Sequence, residues 1–207
     1  TNGVHSLHGG TTGWQYRTYK ANQTSDNSLE LTLTSPDGDN GYPGTVEAKV
    51  VYTLTDDNAI DIKTSATTDK PTVVNMTNHA YFNLNADATI PITNNILYVN
   101  ADEYTPVDST FMTSGEIAPV ANTPFDFNTP TEIGARINED NEQLHNGNGY
   151  DHNWVLKGGC DIKRLAASVE SPITGIKLEV YTDKPGLQVY VGNFLDGTVL
   201  NSLDCRT

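Results

Sequence analysis

The stretch Val46-Glu47-Ala48-Lys49-Val50-Val51-Tyr52-Thr53-Leu54-Thr55-Asp56-Asp57-Asn58-Ala59-Ile60-Asp61-Ile62 alternates apolar and polar residues with a period of two, pauses, and resumes the alternation. Val46, Ala48, Val50, Tyr52 and Leu54 fall on one face, as do Ile60 and Ile62. That is the pattern of two half-buried strands, and the Asp and Asn residues between Asp56 and Asn58 supply the turn. Upstream, Leu29, Leu31 and Leu33 repeat the period. Downstream, further strands are predicted over Val73 to Phe82, Asn95 to Val99, Leu165 to Glu170, Ile176 to Thr182 and Leu187 to Asn193. No window carries a convincing helical period. Strands at this spacing, punctuated by Gly, Pro, Asn and Asp, predict an all-β chain built as an antiparallel sandwich or barrel.

The segment from Asp102 to His145 reads differently, because Pro106, Pro119, Pro124 and Pro130 interrupt any long element. It is expected to form a long excursion with at most a helical turn near Glu132 to Ile137. Ordered loops of this length on a β scaffold are common places for binding sites. Residues 1–207 are read as a single domain, without internal repeats or low-complexity segments.

Composition narrows the partners. Lys and Arg number 12 against 26 Asp and Glu, a formal charge of −14, which repels a phosphate backbone or an anionic membrane face. Neither nucleic acid nor a membrane is expected as a partner. No apolar run reaches the roughly 18 residues of a spanning helix, and no signal segment opens the sequence. Cys160 and Cys205 lie 45 residues apart, fit neither a metal knuckle nor a disulfide framework, and are expected to be free thiols. Asn22-Gln23-Thr24 and Asn75-Met76-Thr77 match the glycosylation sequon, a short pattern that arises by chance and is discounted.

Four side chains stand out as candidates for chemistry, each with an ordinary alternative. His79 lies within Asn75-Met76-Thr77-Asn78-His79-Ala80-Tyr81-Phe82-Asn83-Leu84. On an alternating strand it would share a face with Asn75 and Thr77, either as a hydrogen-bonded structural histidine or as a general acid near neutral pH. His8 precedes Gly9-Gly10, as a turn histidine or a ligand contact. His5 and His8 could suggest a metal pair, but no third ligand stands at suitable spacing, and no metal is expected. Asp151 lies in a Gly-rich loop from Asn146 to Trp154 beside Tyr150 and Trp154. A carboxylate between aromatic rings suits a sugar, although a plain turn aspartate has the same sequence signature. Gln188 stands opposite Leu187, Val189 and Val191, on the face of Tyr190, as a hydroxyl partner or a solvent-facing amide. No phosphate loop, nucleophile elbow, zinc spacing or dinucleotide fingerprint is present.

The His79 stretch together with Ser6-Leu7-His8-Gly9-Gly10, Ser35-Pro36-Asp37-Gly38-Asp39-Asn40-Gly41-Tyr42-Pro43-Gly44 and Gly149-Tyr150-Asp151-His152-Asn153-Trp154 resembles the aldose 1-epimerase (galactose mutarotase) family. Thr105-Pro106-Val107-Asp108, Thr123-Pro124-Phe125-Asp126 and Gly192-Asn193-Phe194-Leu195-Asp196-Gly197 extend the likeness over nearly the whole chain. The resemblance implies the galactose-mutarotase-like antiparallel β-sandwich and interconversion of the α and β anomers of free hexoses such as galactose and glucose, without a cofactor. It implies that His79 protonates the ring oxygen and that His8, Asp151 and Gln188 hold the sugar. It also implies a monomer or homodimer working in the cytoplasm.

The likeness departs at both ends. The family's catalytic glutamate belongs to a Leu-Glu-Thr-Gln-like motif, whereas no Glu follows Glu179 here, and no arginine precedes His8. The chain is therefore expected to be incomplete at both ends relative to the family, and weak or inactive as an epimerase by itself. Asp196 and Asp204 are the carboxylates considered as replacements. A non-catalytic carbohydrate-binding or regulatory module is the alternative. A sugar-phosphate epimerase comes third, because Lys157, Lys163 and Arg164 make no obvious phosphate cluster.

Overall fold

A computed structural model of the chain describes residues 3–195. Twelve strands are present among them: β1 (Lys20–Ser25), β2 (Ser28–Ser35), β3 (Val46–Leu54), β4 (Ile60–Thr68), β5 (Ile96–Val99), β6 (Ala101–Thr105), β7 (Ala118–Pro119), β8 (Thr131–Glu132), β9 (Asp151–Leu156), β10 (Leu165–Glu170), β11 (Lys177–Tyr181) and β12 (Gly186–Tyr190). The one α-helix among the described residues, α1 (Glu142–Gly147), is short. The all-β expectation is met. The chain divides into two compact units, Thr1–Ala80 and Tyr81–Thr207.

The first unit is an antiparallel meander ordered β1-β2-β3-β4. Its register follows the alternation that predicts it: Leu29 pairs with Tyr52 and Tyr52 with Ile62, so the apolar residues form rows across the strands. The β3–β4 loop closes where Thr55 N–H donates to the Ala59 carbonyl at 2.9 Å, with Asn58 in the left-handed region at φ 63°. Val46 and Ala48 on β3 are buried, whereas β1 and β4 are exposed along their length.

The second unit holds two four-stranded antiparallel sheets, ordered β11-β10-β5-β8 and β12-β9-β6-β7. Both contribute to one core: Leu97, Val99, Ala166 and Ala167 from the first, Ala101, Tyr104, Trp154 and Leu156 from the second. Asn100 is the single residue between β5 and β6, and it faces both sheets. Its N–H donates to the Ala166 carbonyl and its own carbonyl accepts from Lys157 N–H, both at 2.9 Å. The Thr123-Pro124-Phe125-Asp126 motif plugs this core from a loop. Phe125 is fully buried and stacks on Tyr104 with ring centroids 4.5 Å apart. Tyr150 Oη and Trp154 Nε1 donate to the Pro124 and Phe125 carbonyls, each at 3.0 Å, so two buried polar tips satisfy a buried loop.

Several expectations need correction. The segment from Val73 to Phe82, read as a strand, carries no regular secondary structure. Asn side chains there satisfy nearby backbone instead: Asn78 Oδ1 accepts from Ala80 N–H and Asn83 Oδ1 from Asn85 N–H, both at 3.0 Å. The face shared by Asn75, Thr77 and His79 on a strand is therefore not formed. The loop expected from Asn146 to Trp154 instead holds the last two residues of α1 and the start of β9. The excursion from Asp102 to His145 contains most of β6, with β7 and β8; its helical turn falls at Ile133–Ala135, where one was expected, but it also holds the first four residues of α1, which were not. Cys160 is a free, exposed thiol; Cys205, Asp196 and Asp204 lie outside the described residues.

Candidate active site

Two groups of candidate side chains are brought together, one in each unit. In the first unit His8 takes a left-handed conformation, φ 52°, ahead of Gly9 and Gly10. Its imidazole meets that of His79 edge to face, with centroids 5.1 Å apart and planes at 88°. The two histidines, remote in sequence, are thus adjacent, and both are solvent accessible. The Asp37–Gly44 loop buttresses the His8 segment. Thr12 Oγ1 donates to Asn40 Oδ1 at 3.0 Å, and Arg17 bridges to Asp39 at 2.7 Å while its Nε donates to the Thr12 carbonyl. Asp39 in turn accepts from Ser35 Oγ at 2.8 Å. Asp37 pairs with Lys70 and accepts from Gly44 N–H, and the Lys70 bond, with that amide, holds its carboxyl below the usual range. An imidazole carries a ring nitrogen that can donate a hydrogen bond or a proton to a ligand oxygen.

In the second unit Asp151 opens β9 and Gln188 lies on the neighbouring β12. Residues alternate along β9, so His152, Trp154 and Leu156 point into the core while Asp151, Asn153 and Val155 are only half-buried. Gln188 Nε2 donates to Asp151 Oδ1 at 2.8 Å across the two strands. This leaves the amide oxygen of Gln188 and the second carboxylate oxygen as acceptors for hydroxyl groups.

Asp151 is aimed by its surroundings. Asn141 caps α1 by accepting from Gln143 and Leu144 N–H, and Gln143 clasps both backbone groups of Val107 at 2.8 and 3.1 Å. After the helix, Asn193 Nδ2 donates to the Gly147 and Tyr150 carbonyls at 3.1 and 3.0 Å, and Asn148 Nδ2 donates to the Asn193 carbonyl at 3.0 Å. The Gly149-Tyr150-Asp151 and Gly192-Asn193-Phe194 motifs are thereby one braced structure.

Sequence reasoning missed a run of aromatic rings alongside this pair. Tyr81 meets Tyr190 at 5.9 Å, Tyr190 stacks near Phe194 at 6.4 Å and 14°, and Phe194 meets Phe111 edge-on at 5.6 Å. Phe111 holds φ 65°, a strained backbone for a bulky residue, within a turn organised by Asp108 Oδ1 accepting from Thr110 N–H and Oγ1. Desolvation, then Tyr190 and Asp151, raises the Tyr81 phenol, which stays protonated as a donor. Four aromatic residues scattered from Tyr81 to Phe194 give no signal in one sequence, because only the fold collects them.

The comparisons with known proteins fit these motifs. A family model described as aldose 1-epimerase matches residues 1–205. The chain belongs to the aldose 1-epimerase family. It is 43% identical over 196 residues to the aldose 1-epimerase of Escherichia coli K12, covering 95% of this chain and 56% of that protein. Against the galactose mutarotase of Homo sapiens the identity is 42% over 194 residues, 94% of this chain and 54% of the relative. The crystal structure of galactose 1-epimerase from Lactobacillus acidophilus NCFM superposes with a TM-score of 0.84 at 33% identity, over 96% of this chain and 57% of that one. A GalM/aldose epimerase homologue from C. elegans superposes at 0.83 and 30% identity, over 95% and 58%. The galactose-mutarotase-like fold is therefore present. The chain spans little more than half the length of the relatives it matches.

Proposed function

We propose that this member of the family binds a free hexose and promotes exchange of its α and β anomers. Ring opening takes a proton from the O1 hydroxyl, breaks the C1–O5 bond and delivers a proton to O5. Rotation about C1–C2 and the reverse steps give the other anomer. We assign His79 as the acid at O5, with His8, Asp151 and Gln188 holding hydroxyls. The observation that carries the sugar reading is the Gln188–Asp151 hydrogen bond of 2.8 Å, a carboxylate and amide beside an aromatic run that can cover C–H surfaces. Asp151 and Gln188 orient the sugar, and the imidazole moves a proton, so no metal is needed for the exchange.

The exchange also requires a group that takes the O1 proton, and we assign no residue to that role. Polarimetry of freshly dissolved α-D-galactose at neutral pH, corrected for spontaneous mutarotation, tests the assignment with the chain and with His79→Ala. We expect galactose binding, and an acceleration that His79→Ala removes. Acceleration that survives His79→Ala would refute the role given to His79, and absence of binding by the folded chain would refute the sugar reading.

A further inference from the structure

The imidazole of His152 is fully buried on the core face of β9, next to the residue proposed to hold the sugar. Its Nδ1 accepts the Asp151 backbone N–H at 3.2 Å. A nitrogen that accepts carries no proton, so the neutral ring bears its proton on Nε2. Among the described residues that Nε2 has no hydrogen-bond partner. A buried donor without a partner is unfavourable, and on packing grounds alone a phenylalanine would suit this position better. The Nδ1 contact is what the imidazole supplies.

The ring is also held in place. Phe125 lies 4.6 Å away at 69°, Tyr104 lies 6.0 Å away at 70°, and α1 ends against it. A Cβ added at Gly147 would stand 2.8 Å from His152 Cε1, so a side chain there would displace the ring. Burial lowers the imidazole to about 4, which keeps Nδ1 available as an acceptor at neutral pH.

We infer that His152 is a positioning residue: its Nδ1 holds the Asp151 amide and so fixes the entry into β9 that presents the Asp151 carboxylate to Gln188. The inference rests on the sugar-binding role proposed for Asp151, but its first readouts need no sugar. Long-range ¹H–¹⁵N correlation on histidine-labelled wild-type chain at pH 7 should show His152 with bare Nδ1 and protonated Nε2. The Gln188 side-chain amide, shifted by its bond to Asp151, should revert toward a free amide in His152→Phe, which keeps a ring but no acceptor. It should hold its position in His152→Asn, whose carbonyl can accept in place of Nδ1. Galactose affinity, followed by titration, should fall about 5- to 10-fold in His152→Phe and recover in His152→Asn.

A protonated Nδ1 in the wild type overturns the inference whether or not any variant folds. An unmoved Gln188 amide in folded His152→Phe also overturns it. Should the wild-type chain bind no galactose, the sugar reading fails, and the tautomer with the Gln188 signal still decides whether His152 positions Asp151.

Discussion

Replacing Gly149 by alanine should strike the brace that aims Asp151. Gly149 has φ 119°, well outside the conformations open to an L-residue, and a Cβ built there stands 2.6 Å from Asn193 Oδ1 and 2.9 Å from its Cγ. Either the backbone shifts or the Asn193 amide leaves its bonds to the Gly147 and Tyr150 carbonyls. Strain of this kind costs about 1–3 kcal/mol, and each lost hydrogen bond about 1 kcal/mol. Part of the strain is relieved when the amide moves, so the expected loss is about 2–4 kcal/mol, or roughly 10 °C in Tm. Urea unfolding of Gly149→Ala, Asn193→Ala and the double variant measures it. Because both substitutions break the same brace, the double variant should lose clearly less than the two single losses added. Strictly additive losses, or a Gly149→Ala chain within about 0.5 kcal/mol of wild type, would refute the brace.

Three further outcomes are expected. Burial holds His152 near 4 against an ordinary 6.5, so between those values the unfolded chain binds more protons and acidification destabilises the fold. The loss should run at roughly 1.4 kcal/mol per pH unit, vanish above about pH 6.5, and be missing from the stability profile of His152→Phe. Tyr150, whose phenol burial raises to about 12, donates to the Pro124 carbonyl. Tyr150→Phe strands that buried acceptor and should cost about 1–3 kcal/mol in chemical denaturation. Asn85 Oδ1 accepts from Asn95 Nδ2 at 3.1 Å and from Ser171 Oγ at 2.7 Å, all three residues being buried. Asn85→Leu leaves the Ser171 hydroxyl without its acceptor and Asn95 Nδ2 with only its bond to Asn94 Oδ1 at 2.7 Å, and a loss of about 2–4 kcal/mol is expected by the same assay, with Asn85→Asp recovering part of it.

The strands easiest to read in the sequence were those with one simple face. β2, β3 and β4 alternate Leu, Val, Tyr and Ile against polar residues, and their observed pairing keeps that order. β9 escaped because its buried face begins with His152, a residue that pattern reading assigns to the outside, and because Gly147 and Gly149 just before it suggest a loop. β6 escaped because a register shift between Ala101 and Glu103 breaks its period. Six residues of α1 are too few to display a helical repeat. The error over Val73 to Phe82 has the opposite cause: alternation was present, but local Asn contacts took the place of a ladder. At the candidate site, pattern and family resemblance picked out His8, His79, Asp151 and Gln188. The contacts within each pair, and the aromatic run from Tyr81 to Phe111, depend on long-range folding that one sequence does not display.

Asn100 leaves the two sheets of the second unit no slack, since one residue separates β5 from β6 and its backbone is divided between them. Neither sheet can peel away while the other stays intact without breaking that corner. In hydrogen exchange the amides of β5, β9 and β10 should therefore open together, with a common free energy close to that of global unfolding. The strand presenting Asp151 would then share the slowest opening event of its unit, and a sugar would meet a surface that has already settled its shape.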